Sequence, residues 1–155
     1  MDLGELECLT PILIAAFKGN VEDIPEMLCH GVCVEETRED DGTPLQLAAA
    51  DGHVEVVREL LKFDADVDLA DEEVNTPPKL AAEISHVEVI REVLMHGASV
   101  NLADEEGKTP QNLAAENGHL KVIRELLKHG ANVDLADKEG KTTLNLVSQK
   151  YNRVC

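Results

Sequence analysis

"DGTPLQLAAADGHVEVVRELLKFDADVDLADEE", residues 41–73, is followed at once by "VNTPPKLAAEISHVEVIREVLMHGASVNLADEE", residues 74–106, and then by "GKTPQNLAAENGHLKVIRELLKHGANVDLADKE", residues 107–139. The three stretches align without a gap on a period of 33 residues. Upstream, "CLTPILIAAFKGNVEDIPEMLCHGVCVEETRED", residues 8–40, is a more divergent copy, and "GKTTLNLVSQKYNRVC", residues 140–155, starts a fifth. Self-similarity at one fixed period over nearly the whole chain is the mark of a repeat array.

Each copy predicts the same unit. Thr43 is a good helix N-cap, and Pro44 suits the first helical position, where its missing N–H costs nothing. Leu45, Ala48 and Ala49 then share one face of a short helix. Gly52 ends it, because glycine takes the left-handed conformation cheaply. His53 opens a second helix with an apolar stripe of Val56, Val57, Leu60 and Leu61. Glu55, Arg58, Glu59 and Lys62 lie outward at i,i+3 spacing and read as a solvated face. From Ala65 to Leu69 the sequence alternates apolar and polar, as a short extended hairpin arm would. One copy is too small to bury its stripes, whereas stacked copies bury them between neighbours. The fold class expected is an all-α repeat solenoid over residues 1–155, a single domain with repeats at 8–40, 41–73, 74–106 and 107–139 and a partial repeat at 140–155.

Composition narrows the function. Aromatic residues make up 2% and there is no tryptophan, so the core is built from Leu, Val, Ile and Ala. The formal charge of −17 repels phosphate backbones and anionic lipid, which argues against nucleic acid and membrane partners and for a basic protein surface. "MDLGELECL" has no basic start and no long apolar run, so it does not read as a secretory signal. No stretch has the roughly 18 apolar residues of a spanning helix, and the expected compartment is cytosol or nucleus.

The motif Thr-Pro-Leu, Leu-Ala-Ala, Gly-His, a Val/Leu-rich helix and Gly-Ala-x-Val-Asn/Asp resembles the ankyrin repeat. The evenness of copies two to four, with the "DLG" opening, also resembles consensus-derived ankyrin proteins, so an engineered or purely structural scaffold with no natural ligand is the alternative reading. The resemblance implies antiparallel helix pairs joined by β-hairpin loops, and a binding surface made of hairpin tips and first helices. Matched position by position, the tips are Glu39, Asp40 and Gly42; Glu72, Glu73 and Asn75; and Glu105, Glu106 and Lys108. The exposed ends of the first helices carry Ala50 and Asp51, Glu83 and Ile84, and Glu116 and Asn117. Carboxylates dominate this set, so the concave ridge is expected to be negative and to steer a basic partner, with Ile84 as its apolar anchor. The resemblance also implies a site of asparagine hydroxylation at Asn101 in "SVNLAD", where Asp68 and Asp134 hold the matching positions.

Departures from the pattern cluster in the third copy. Pro78 replaces a core Leu, Ser85 replaces a helix-ending Gly and Val74 stands at a turn Gly. Val74 and Ser85 each cost about 1 kcal/mol if held at positive φ, while Asp64 tolerates such a position better. Pro25 is expected to shorten the first turn of its helix. The sequence stops at Cys155, where the second helix of a fifth copy would begin. That leaves Leu144, Leu146 and Val147 to cover copy four, and makes a longer array, an edge that meets a partner, a fraying edge or end-to-end association of an otherwise monomeric chain the open readings.

Catalysis and metal binding fare poorly. Glu72–Glu73 and Glu105–Glu106 are expected at wet turn tips, where nothing separates their pKa values for acid/base work. Asp71–Glu72–Glu73 lacks the twelve-residue loop of a calcium site. His53, His86 and His119 read as first-turn residues satisfied locally, and His30, His96 and His129 as helix-end residues that complement the dipole. No histidine joins a nucleophile with an orienting acid, and no phosphate-cradling glycine loop exists. The chain is therefore read as non-enzymatic, with no cofactor and no metal. A Cys29–His30–Cys33 metal or redox site is the one weaker chemical alternative, since Cys8, Cys29, Cys33 and Cys155 form no CxxC.

Overall fold

The computed structural model describes residues 10–37 and 42–152. The chain runs α1 (Pro11–Lys18), a 3-10 turn (Val21–Asp23), α2 (Ile24–Cys29), α3 (Pro44–Asp51), α4 (Val54–Lys62), α5 (Pro77–Glu83), α6 (Val87–Met95), α7 (Pro110–Glu116), α8 (Leu120–Lys128) and α9 (Thr143–Asn152). Each odd-numbered helix packs on the next odd one, each even helix on the next even one, and each pair packs internally. The result is a two-row helical solenoid in which every repeat touches its neighbours.

The Thr-Pro starts work through hydrogen bonds. Thr43 Oγ1 accepts the Gln46 N–H at 3.2 Å, and Gln46 Oε1 accepts the Thr43 N–H at 2.7 Å. Thr109 and Asn112 close the same reciprocal box, while Thr10 makes no such side-chain bond. Behind the caps, Ala48, Ala49, Ala81, Ala82, Ala114 and Ala115 are all fully or almost fully buried. Their small side chains let successive first helices approach closely. Val56, Val57 and Leu60, with Val89, Ile90, Val93, Val122 and Leu126, fill the core between the second helices. Truncating a fully buried leucine such as Leu60 to Ala would cost about 2–5 kcal/mol.

Three sequence expectations change. The arm from Ala65 to Leu69 is not extended throughout: Val67–Asp68 forms a turn, because the Asp66 carboxylate accepts the Asp68 N–H at 2.9 Å. Among the described residues no segment is regular strand. The loops instead double back through single pairs such as Asp104 N–H to Lys108 O at 3.0 Å. The second-helix histidines are not satisfied locally but reach across to the preceding repeat. Nε2 of His53, His86 and His119 lies 2.8, 3.1 and 2.9 Å from the carbonyls of Phe17, Ala50 and Glu83. A carbonyl only accepts, so each ring donates from Nε2.

The face carrying Arg58 is solvated only in part. Arg58 pairs with Glu55 as spacing predicted, yet its Nε also reaches Glu92 in the next repeat at 2.9 Å. Arg91 repeats the pattern, paired with Glu88 and, through two nitrogens at 3.2 Å, with the buried Glu125. That fork holds the Glu125 carboxyl below its ordinary range against the opposing effect of burial. The remaining histidines behave as expected: Nδ1 of His30, His96 and His129 meets the carbonyl four residues back at 2.7, 2.8 and 3.0 Å.

The irregular positions carry real strain. Asp64, Val74 and Ser85 sit at φ of 62°, 60° and 69°. Pro25 follows a 3-10 turn, and α2 has six residues against nine in α4, α6 and α8. At the far end Leu146 is buried and Val147 half-buried, but Leu144 is 72% exposed and covers nothing.

Candidate partner-binding surface

The acidic tips are built by the aspartate that precedes the glutamates. Asp71 Oδ1 accepts the backbone N–H groups of Glu73 and Asn75 at 2.9 and 2.8 Å. Asp104 Oδ1 accepts those of Glu106 and Lys108, both at 2.9 Å, and Asp137 those of Glu139 and Lys141, also at 2.9 Å. With the turn closed by Asp, the side chains of Glu72, Glu73, Glu105 and Glu106 are left exposed. Asp51, Glu83, Glu116 and Asn117 are exposed at or just beyond the ends of α3, α5 and α7, as is Ile84 at 53%. The residues expected from both elements are thus present as side chains open to solvent.

Others in the set are engaged. Gly42 is buried, Ala50 is half-buried with its carbonyl bonded to His86, and the Asn75 amide donates to Asp71 Oδ2 at 2.9 Å. Lys108 is not free: its ammonium lies 3.0 Å from Glu116 and 3.4 Å from Glu106, and the hydrogen bond to Glu116 raises its pKa. Glu39 and Asp40 lie outside the described residues. Asn101 is exposed, and its Oδ1 accepts the Asn132 N–H at 2.8 Å, just as Asp68 accepts that of Ser99 one repeat earlier.

Sequence reading missed the residues that tie each tip to the stack. Gln46, Lys79 and Asn112 occupy one repeat position, three residues after the capping Thr. Gln46 Nε2 donates to the Leu69 and Asn75 carbonyls at 2.8 and 2.9 Å, and Asn112 Nδ2 to the Leu135 carbonyl at 3.3 Å. Lys79 reaches Asn75 Oδ1 at 2.8 Å and forms a salt bridge to Asp104 Oδ2 at 3.0 Å. Partial burial pushes the Asp104 carboxyl up, but hydrogen bonds from the Lys108 backbone and the Lys79 ammonium leave it below its ordinary value. The available signal was that the third residue after the capping Thr is polar and long enough to reach the next loop in copies two to four.

A cleft of about 790 Å³ opens between Gly42, Gln46, Leu69 and the Asp71–Glu73 tip, with Glu35 in its wall. Glu35 Oε1 accepts the Asp66 N–H, its Oε2 is buried with no hydrogen-bond partner among the described residues, and desolvation raises its pKa. Cys29 and Cys33 are exposed free thiols. Among the described residues no three His, Cys, Asp or Glu side chains are grouped to hold a metal, and no helix is long and apolar enough to cross a membrane.

A family model described as ankyrin repeats (three copies) matches residues 12–104 and 79–154. The chain belongs to the ankyrin-repeat family. No curated protein matches it significantly. Ankyrin repeats are generally protein–protein interaction modules and typically non-enzymatic. In this ankyrin protein the repeat explains why the acidic tip recurs: the Asp that seals each turn and the Thr that caps each following helix are parts of the fold. The glutamates between them are not.

Proposed function

We propose that this ankyrin-repeat protein is a non-enzymatic binding module that holds a protein partner with a basic surface. The contacts run along the tips Glu72–Glu73 and Glu105–Glu106 and the helix ends Asp51, Glu83 and Glu116. The observation that carries the reading is a division of labour among the carboxylates. Asp71 and Asp137 are engaged inside their turns and Asp104 by its turn and by Lys79, while Glu72, Glu83 and Glu105 are exposed and, among the described residues, enter no ion pair. A row of such carboxylates in a chain of charge −17 attracts a cationic partner at long range and repels an anionic one. Ile84, exposed just beyond the end of α5, adds an apolar contact.

The test is association kinetics with a basic partner isolated by retention on the immobilised chain. Reversing Glu72, Glu73, Glu105 and Glu106 to Lys should slow association by about 10-fold or more and flatten its salt dependence. Binding that is indifferent to both salt and the reversals would overturn the acidic-surface reading.

A further inference from the structure

The helix α5 is the least secured of the inner row. Like α3 and α7 it is packed on both sides by other first helices, so the three share one setting. Their ends differ. Thr43 with Gln46 and Thr109 with Asn112 close reciprocal caps at the starts of α3 and α7. At α5, Thr76 Oγ1 accepts the Lys79 N–H at 3.4 Å, but an ammonium has no acceptor with which to return the bond. The Lys79 side chain turns instead to Asn75 and Asp104. At the other end the N–H groups of Gly52 and Asn117 bond back to carbonyls of α3 and α7, and among the described residues no such bond closes α5 at Ile84. Strain brackets the same helix. Val74 precedes it at φ 60° and Ser85 follows it at φ 69°, whereas copy four has Gly107 and Gly118 at those places, at 75° and 73°. A side chain held there is strained where glycine is not. Pro78 also stands, buried, where copy two packs the fully buried Leu45, and brings a smaller side chain to the core. The neighbouring α7 carries one fault, the buried Gln111 amide, but keeps both glycines and its reciprocal cap.

We propose that α5 is a yielding joint in the stack: it opens as a local unit while α3 and α7 stay folded. Each repeat contacts only its neighbours, so a weak unit can open at a lower free energy than the whole array. What holds α5 shut is the burial of Ala81 and Ala82 and the ion pair from Lys79 to Asp104 on the next loop. Opening trades those contacts for release of the strain at Val74 and Ser85, a trade that α3 and α7 are not offered on both flanks. A hinge of a few element-terminal residues is enough to absorb such a change. Glu83 is the last residue of α5 and Ile84 follows it, so the opening moves both relative to the acidic tips. On the binding reading above this adapts part of the contact surface to a partner, but the opening itself does not depend on that reading.

Native-state hydrogen exchange of the whole chain, read by mass spectrometry of peptic fragments, is the test. Amides of residues 80–83 in α5 should exchange about 10-fold or more faster, relative to their intrinsic rates, than the matching residues 47–50 in α3 and 113–116 in α7. The double substitution Val74→Gly and Ser85→Gly should slow exchange in α5 by about 10-fold, because it removes the strain that opening releases. Gly130→Ala serves as the control outside the joint, since it places a side chain at φ 86° with nothing within 4 Å of its Cβ. It should speed exchange in α7 by about 5-fold and leave α5 unchanged. Three outcomes would overturn the proposal. One is α5 exchanging no faster than α3, or no faster than α7, which would mean uniform stability or unzipping from one end. Another is α5 speeding as much as α7 in Gly130→Ala, which would mean that it opens only with the rest of the chain. The last is exchange in α5 that the double substitution does not slow.

Discussion

The ring of His86 lies directly over Gly52: a Cβ built on that glycine would come within 2.6 Å of His86 Nδ1 and Cε1. On its other side the ring bonds the Ala50 carbonyl at 3.1 Å. One imidazole thus plugs the end of one repeat's first helix from the start of the next repeat's second helix. Gly19 and His53 stand in the same relation. Each of these rings joins one repeat to the next.

Gly52→Ala should therefore be costly. The residue sits at φ 73°, where a side chain is strained, and the added methyl strikes a ring rather than open space. A loss of about 2–4 kcal/mol in denaturant unfolding is expected. Gly97→Ala is the control: its φ is 88°, yet nothing lies within 4 Å of the new Cβ, so only the conformational part, about 1 kcal/mol, should appear. Equal losses at the two sites would show that the histidine contact is soft.

Val74→Gly should go the other way. Val74 sits at φ 60° in the turn that Gly107 and Gly140 fill in later copies at 75° and 77°. A β-branched residue there is strained, and glycine removes that strain while adding freedom to the unfolded chain. A net gain of about 1 kcal/mol should be read as a higher unfolding midpoint.

Gln111 is 1% exposed, and among the described residues both its amide oxygen and nitrogen lack a hydrogen-bond partner. The matching position in copy two is the fully buried Leu45. Gln111→Leu keeps the volume and removes the unmade bonds, so it should stabilise by about 1–3 kcal/mol in equilibrium unfolding. Destabilisation would point to a buried water that holds the amide.

Asp104 gives the chain an acid-sensitive joint. Its carboxyl is depressed in the folded state, so the stability it supplies is fully present above its unfolded value near 3.8 and is lost as pH falls through the folded value. Asp104→Asn should cost about 1 kcal/mol at neutral pH, since its side chain is only 9% exposed but lies near the surface, and the deficit should shrink in acid. Glu35 runs oppositely: burial raises its carboxyl above 4.5, so it opposes folding at neutral pH and ceases to do so as pH falls. Stability curves of Asp104→Asn and Glu35→Gln against pH should separate the two.

The repeat period, the Thr-Pro caps, the buried alanine and Val/Leu stripes and the strained Val74 and Ser85 were all legible in the sequence. Each is a local effect: a cap, a periodicity or a φ preference depends on residues a few positions apart, and repetition multiplies the signal. The exposure of Glu72 and Glu105 at tips followed from the same logic. Contacts at separations of about one repeat were decided by the tertiary structure. Spacing placed Arg58 among surface residues because it sees i,i+3 neighbours, but Glu92, 34 residues away, is what the stack brings against it. His86 looked locally satisfied for the same reason, although its acceptor is a backbone carbonyl that carries no side-chain signature. Lys108 is a tip residue by its place in the repeat, but Glu116, eight residues on, holds its ammonium. The sequence by itself determined the repeating unit and the surplus of acid. Tertiary structure decided which acids close turns, which join repeats and which stay open to a partner, because those roles depend on distances set only when one repeat packs on the next.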